Sequence, residues 1–170
     1  RYPYDTSCRL YSDDNTTRLH YLHARRVVMT DGTYYYRHHA ASCTQRCSMR
    51  RFDYMEANWS MMQQLQHEVA MGNVREPQRL LSIYETHRWE NFVGCYGYLY
   101  KHRAQFSAAQ RQQVCSRMRQ LKRTFNFLYV SPRIKRKFGF WPLRSFFLFR
   151  LQLRLYFSIK KHVLGRTVEW

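Results

Sequence analysis

Four cationic residues in five, Arg133-Ile134-Lys135-Arg136-Lys137, are the sharpest chemical feature of the sequence. Aromatic residues frame them, with Phe125, Phe127 and Tyr129 before and Phe138, Phe140 and Trp141 after. Cationic side chains contact phosphates, and nearby rings can stack on unpaired bases. The run therefore predicts backbone contacts with RNA through Arg133, Lys135, Arg136 and Lys137, with Phe138, Phe140 and Trp141 as stacking candidates. A solvated loop between core aromatics is the competing reading. Nothing in the pattern reads a base edge, since there is no Asn/Gln-rich recognition helix and no zinc-finger spacing. The expected contact is with backbone and shape.

His38, His39, Cys43 and Cys47 have the residue types of a zinc site. Zinc needs thiolates and imidazoles converging on a tetrahedron. Three residues separate Cys43 from Cys47, so the two face one way only as neighbours on a helix turn. Scattered histidines and small buried thiols are the expectation, with no metal and no cofactor. The five cysteines, at 8, 43, 47, 95 and 115, read as reduced thiols of a non-secreted protein.

Acids are the scarce resource for catalysis. Asp13 and Asp14 sit in a turn signal, Asp31 in an Asp-Gly hairpin signal, and Asp53 and Glu56 at a helix start. Glu85, His87 and Glu90 do not converge on one point of a helix. There is no Gly-rich phosphate loop, no His-Glu-x-x-His and no Gly-x-Ser-x-Gly. These absences predict a protein that is not an enzyme and takes no small-molecule substrate.

The sign of the charge then sets the partner. The 170 residues carry 29 Lys plus Arg against 11 Asp plus Glu, a net +18. Residues 1–90 are close to neutral, with 12 basic and 10 acidic residues, whereas residues 91–170 hold 17 basic residues and one acid, Glu169. A stretch so short of counter-ions repels itself unless a polyanion neutralises it. The candidate RNA contacts extend accordingly to Arg117, Arg119, Lys122, Arg123, Arg144, Arg150, Arg154, Lys160 and Lys161.

In composition the chain resembles the small, Arg-heavy, aromatic-rich proteins of organellar ribosomes. That resemblance is to a class and rests on no motif. It implies a constituent of a mitochondrial ribosome in the matrix, contacting ribosomal RNA beside neighbouring proteins. A chain beginning at Arg1 rather than Met reads either as a fragment or as a mature protein whose leader was removed, for which a mitochondrial presequence is one route. An accessory subunit of a mitochondrial respiratory membrane complex is the alternative. Membrane contact is not expected, because Arg144, Arg150 and Arg154 interrupt the apolar region from Phe138 to Ile159.

The elements that position these residues read as α+β. Val27-Val28-Met29, Asp31-Gly32 and Tyr34-Tyr35-Tyr36 predict an N-terminal antiparallel hairpin, with Cys8–Tyr11 and Thr17–His23 as further strands. A helix is expected over about 53–71, capped by Asp53 and Glu56 and closed by Gly72. Pro77 opens a second helix over 77–90, and Phe92–Tyr100 reads as an aromatic turn or strand. Ser107 and Gln110 open a third helix over 107–123. Residues 149–160 alternate apolar and polar, which predicts a basic C-terminal strand. Residues 1–130 form the expected compact body and 131–170 an arm or edge element.

Overall fold

The computed structural model describes residues 11–33, 35 and 46–162, and these residues build helices only. In chain order they are α1 (Ser12–His23), a 3-10 turn (Met49–Phe52), α2 (Asp53–Ala70) and α3 (Pro77–Lys101). The short α5 (Pro132–Lys135) follows α4 (Ala108–Lys122), and α6 (Phe146–His162) comes last. The expected α+β class is overturned, since no strand occurs among the described residues.

The N-terminal hairpin signal fails for want of a partner ladder. Val27, Val28 and Met29 lie exposed in irregular backbone, and Thr17–His23 belong to α1 instead. Tyr34, Tyr36 and Cys8–Leu10 lie outside the described residues. Asp13 and Asp14 occupy the first turn of α1, where the helix dipole favours negative charge. Asn15 and Leu19, four apart, turn inward, and Asn15 Nδ2 donates to the Ala57 carbonyl at 2.8 Å.

The C-terminal strand is a helix for a similar reason. An isolated strand leaves its amides and carbonyls without partners, whereas a helix satisfies them within the segment. Seventeen residues are long for a strand but ordinary for a helix. A second period was present in the same letters. Phe146, Phe149, Leu153 and Phe157 recur at helical spacing, and the last three are fully buried.

α2 and α3 form the largest helix–helix contact and run antiparallel. Phe52 meets Tyr98 at 5.6 Å between ring centroids, Asn91 Nδ2 donates to Tyr54 Oη at 3.3 Å, and Tyr84 Oη donates to the Asn58 carbonyl at 3.3 Å. Gly72 ends α2 with φ 75°, which lets the Asn73 amide reach the Glu68 carbonyl at 3.0 Å. α3 does not stop at residue 90. It continues through Phe92–Tyr100 because Phe92, Val93, Tyr96 and Leu99 bury one face, which outweighs the low helix propensity of Gly94 and Gly97. The Asp53 cap is also replaced: α2 is entered through the 3-10 turn, and Phe52 holds the N-cap position without a side-chain bond. At α4 both capping-box bonds form, Gln110 N–H to Ser107 Oγ at 3.2 Å and Ser107 N–H to Gln110 Oε1 at 2.8 Å.

Trp89 is the hub of the core. Its ring lies 5.0 Å from both Phe125 and Phe127, 5.3 Å from Phe149 and 5.5 Å from Phe92. Its Nε1–H donates to the Phe140 carbonyl at 2.9 Å. One side chain therefore ties α3 to the loop after α4, to the loop before α6 and to α6 itself. Ile134, Phe140, Phe149, Leu153 and Phe157 join this core, so the described part of 131–170 shares it with the preceding helices. No helix among the described residues is long and apolar enough to cross a membrane.

Candidate nucleic-acid interface

Two fastenings set the distance between α4 and α6. Arg117 on α4 grips the start of α2, with Nη2 3.1 Å from Asp53 Oδ1 and Nε 2.7 Å from Glu56 Oε1. α6 packs onto α3 through Phe149, Leu153 and Phe157. A groove remains between the two helices. Its first stretch, about 990 Å³, is walled by Arg103, Arg111, Arg119, Arg150 and Arg154, with Tyr96 and Tyr100 among its rings. Its second stretch, about 710 Å³, is walled by Arg119, Lys122, Arg123, Arg144 and Arg150, with Phe125, Phe127, Phe146 and Phe147. Arg119, Phe146 and Arg150 line both, so the two stretches are neighbours. Among the described residues no carboxylate lines either one. A cleft of one sign with apolar walls concentrates field lines on an incoming anion.

Some of these cations are used within the fold. Arg111 Nη1 donates to the carbonyls of Phe106 at 2.6 Å and Arg103 at 3.0 Å, and Arg103 lies 5.1 Å from the Tyr100 ring. Neutral acceptors and rings leave the net charge in place. Arg150 Nε is buried without an acceptor.

Lys122 is the most unusual member. It is 8% exposed, and its ammonium lies 5.4 Å from the Phe149 ring and 5.7 Å from the Phe127 ring, with no hydrogen bond or ion pair among the described residues. Taking an unpaired charge out of water costs several kcal/mol, and each such ring returns about 0.5–2 kcal/mol. The deficit pushes the ammonium below its ordinary pKa of 10.5, through burial alone.

The groove gathers Arg119, Lys122, Arg123, Arg144, Arg150 and Arg154 from the sequence-derived set. It does not gather Arg117, whose guanidinium is held by Asp53 and Glu56. Arg133, Arg136 and Lys137 are exposed on and just beyond α5, off the groove walls, while Lys135 Nζ donates to the Phe127 carbonyl at 2.7 Å. Lys160 and Lys161 lie in the last turn of α6. Phe138 and Trp141 are partly exposed and meet edge-on at 5.3 Å, with Trp141 Nε1–H donating to the Arg136 carbonyl at 3.1 Å. Phe140 is buried against Tyr156 at 5.9 Å, so it stacks on a base only by leaving the core.

Sequence reasoning left out Arg103, Arg111 and Phe147. Arg111, Cys115 and Arg119 recur every four residues on one face of α4, which was the available signal for Arg111. Phe147 was hidden by the strand reading. As a helical residue it is 74% exposed at the groove wall.

Glu85 is buried in an ion pair with Arg88 at 2.8 Å. Among the described residues no three His, Cys, Asp or Glu side chains converge as metal ligands. Cys47 is half-buried, and His38, His39 and Cys43 lie outside the described residues. No protein-family model matches the chain, and no curated protein or solved structure is significantly similar to it.

Proposed function

We propose that the protein is a structural RNA-binding protein that holds folded RNA by its phosphates along the groove between α4 and α6. The observation that carries this reading is the groove itself, where cations from Arg103 to Arg154 gather with no carboxylate among the described residues of the walls. The near-neutral first half supplies Asp53 and Glu56 to fasten the basic half, and the remaining positive charge is left for a partner. The walls are rich in Arg, with Gln112 the one amide side chain among the described lining residues, which favours backbone over base recognition.

Composition supports a mitochondrial ribosome as the setting. The outer face of α6 supports a place in a large assembly, because Leu148, Leu151, Leu155 and Ile159 are each about half exposed at helical spacing. A neighbouring protein would cover such a stripe. Ultraviolet crosslinking of RNA to the native protein, followed by peptide mapping, tests the reading. Adducts should fall on peptides containing Arg111–Lys122 and Arg144–Arg154, in material that sediments with ribosomal RNA. Adducts confined to α1–α2, or sedimentation with a membrane complex free of RNA, would replace it.

A further inference from the structure

The geometry points to the second stretch of the groove as a seat for one unpaired nucleotide, with its phosphate at Lys122 and its base on the Phe147 ring. This rests on the reading of the α4–α6 groove as an RNA site and names the part of the RNA it takes. Three independent observations converge on the phosphate position. Lys122 is more than nine-tenths buried yet has neither a hydrogen bond nor an ion pair, and it lines the cleft. Arg150, on the opposite wall, has a buried Nε with no acceptor. The first turn of α6 opens on the same cleft through Ser145, Phe146 and Phe147, so the positive end of a seventeen-residue helix faces it. Ser145 Oγ accepts the Leu148 amide at 3.4 Å, and the first amides of a helix have no acceptor within the helix.

A phosphate drawn into this cleft would give Lys122 a counter-charge and lie beside the Arg150 guanidinium and the first turn of α6. Phe147 supplies the platform for the base. Its ring is 74% exposed at the wall of this cleft, while the neighbouring rings of Phe125, Phe127 and Phe149 are spent on Trp89. A base still paired in a duplex is stacked on both faces and cannot reach that ring. An unpaired base can, and every base has a face to offer.

Binding of the full chain to a labelled oligouridylate and to a blunt RNA duplex of equal length tests this, by anisotropy over a salt series. Phe147→Leu should weaken oligouridylate binding roughly five-fold or more and leave duplex binding within a factor of about two. Lys122→Met should lower the oligouridylate salt slope by about 0.7, the release expected for one single-strand phosphate, and leave the RNA-free protein at least as heat-stable as the parent. Parent protein that binds neither RNA overturns the groove reading and this inference together. Parent binding with both variants unchanged, or with Phe147→Leu affecting both RNAs equally, overturns this inference alone. A lower melting temperature in Lys122→Met makes that lysine a structural residue and contradicts the phosphate seat. Protection of the parent by inorganic phosphate, with RNA affinities of Phe147→Leu unaltered, would reduce the cleft to a simple anion site.

Discussion

Replacing Glu85 by Gln tests whether the wall of the groove is held as described. Glu85 and Arg88 are 1% and 3% exposed on α3. Glu85 Oε2 accepts from Arg88 Nη1 at 2.8 Å, and Oε1 accepts the Asn126 amide at 2.6 Å. The Arg88 guanidinium also donates to Thr124 Oγ1 and sits 3.9 Å from the Phe125 ring and 4.7 Å from the Trp59 ring. This pair therefore anchors the loop that carries Phe125 and Phe127 to the groove. Gln keeps an acceptor for Asn126 but leaves a buried cation without its counter-charge, a change worth about 3–5 kcal/mol. The rings temper that loss, so the expected value is near the lower bound, about 3 kcal/mol. At about 2–4 °C per kcal/mol, the melting temperature should fall by roughly 6–12 °C. The double variant Glu85→Gln/Arg88→Met removes both charges and should cost less than the sum of the singles in urea unfolding. A single-variant loss below about 1 kcal/mol, or strict additivity, would refute the argument.

Further expectations follow from the same contacts. Lys122 is held below 10.5 by burial, so between its folded value and 10.5 the unfolded chain binds more protons. Stability should rise with pH across that window, and the rise should be missing from Lys122→Met when urea midpoints are compared. Gly139 has φ 92°, and a Cβ there would run into the Tyr156 ring. Gly139→Ala should therefore cost at least about 1 kcal/mol, whereas no measurable loss would show that this turn is adjustable. Burial pushes the Cys95 thiol up to about 12, and Cys115 lines the groove. Peptide mapping after alkylation near neutral pH should find Cys95 unmodified in the native state and Cys115 modified unless RNA is bound. Equal labelling of both would contradict the packing around Cys95.

The sequence carried the helices better than the sheet. Capping residues and proline made the start of α4 and α3 readable, because Ser107, Gln110 and Pro77 act through local backbone geometry. The alternation over 149–160 misled because Leu and Arg at alternate positions satisfy a strand pattern while Phe149, Leu153 and Phe157 satisfy a helical one. Tertiary burial against Trp89 decides between them, and that contact spans about sixty residues of sequence. The Asp-Gly signal failed for the complementary reason: a hairpin turn specifies a reversal, but strands need a second apolar layer to cover them. Charge was legible, and its allocation was not. Arg117 reads like its neighbour Arg119, yet two residues, roughly half a helical turn, send it to Asp53 and Glu56. Lys122 is a surface lysine in any helical projection that ignores the loop folding back over it with Phe127.

The central claim is that the α4–α6 groove, rather than the basic run around α5, carries the RNA phosphates. The most direct measurement is the salt dependence of RNA affinity in two variants with intact circular dichroism. One is Arg119→Gln/Arg150→Gln/Arg154→Gln in the groove, and the other is Arg133→Gln/Arg136→Gln/Lys137→Gln beside α5. At about 0.7–0.9 released counter-ions per phosphate, the groove variant should lose roughly 2–2.7 from the slope of log affinity against log salt. The α5 variant should lose distinctly less. A groove variant that keeps the parent slope, while the α5 variant loses it, would contradict the assignment and move the interface to residues 133–137.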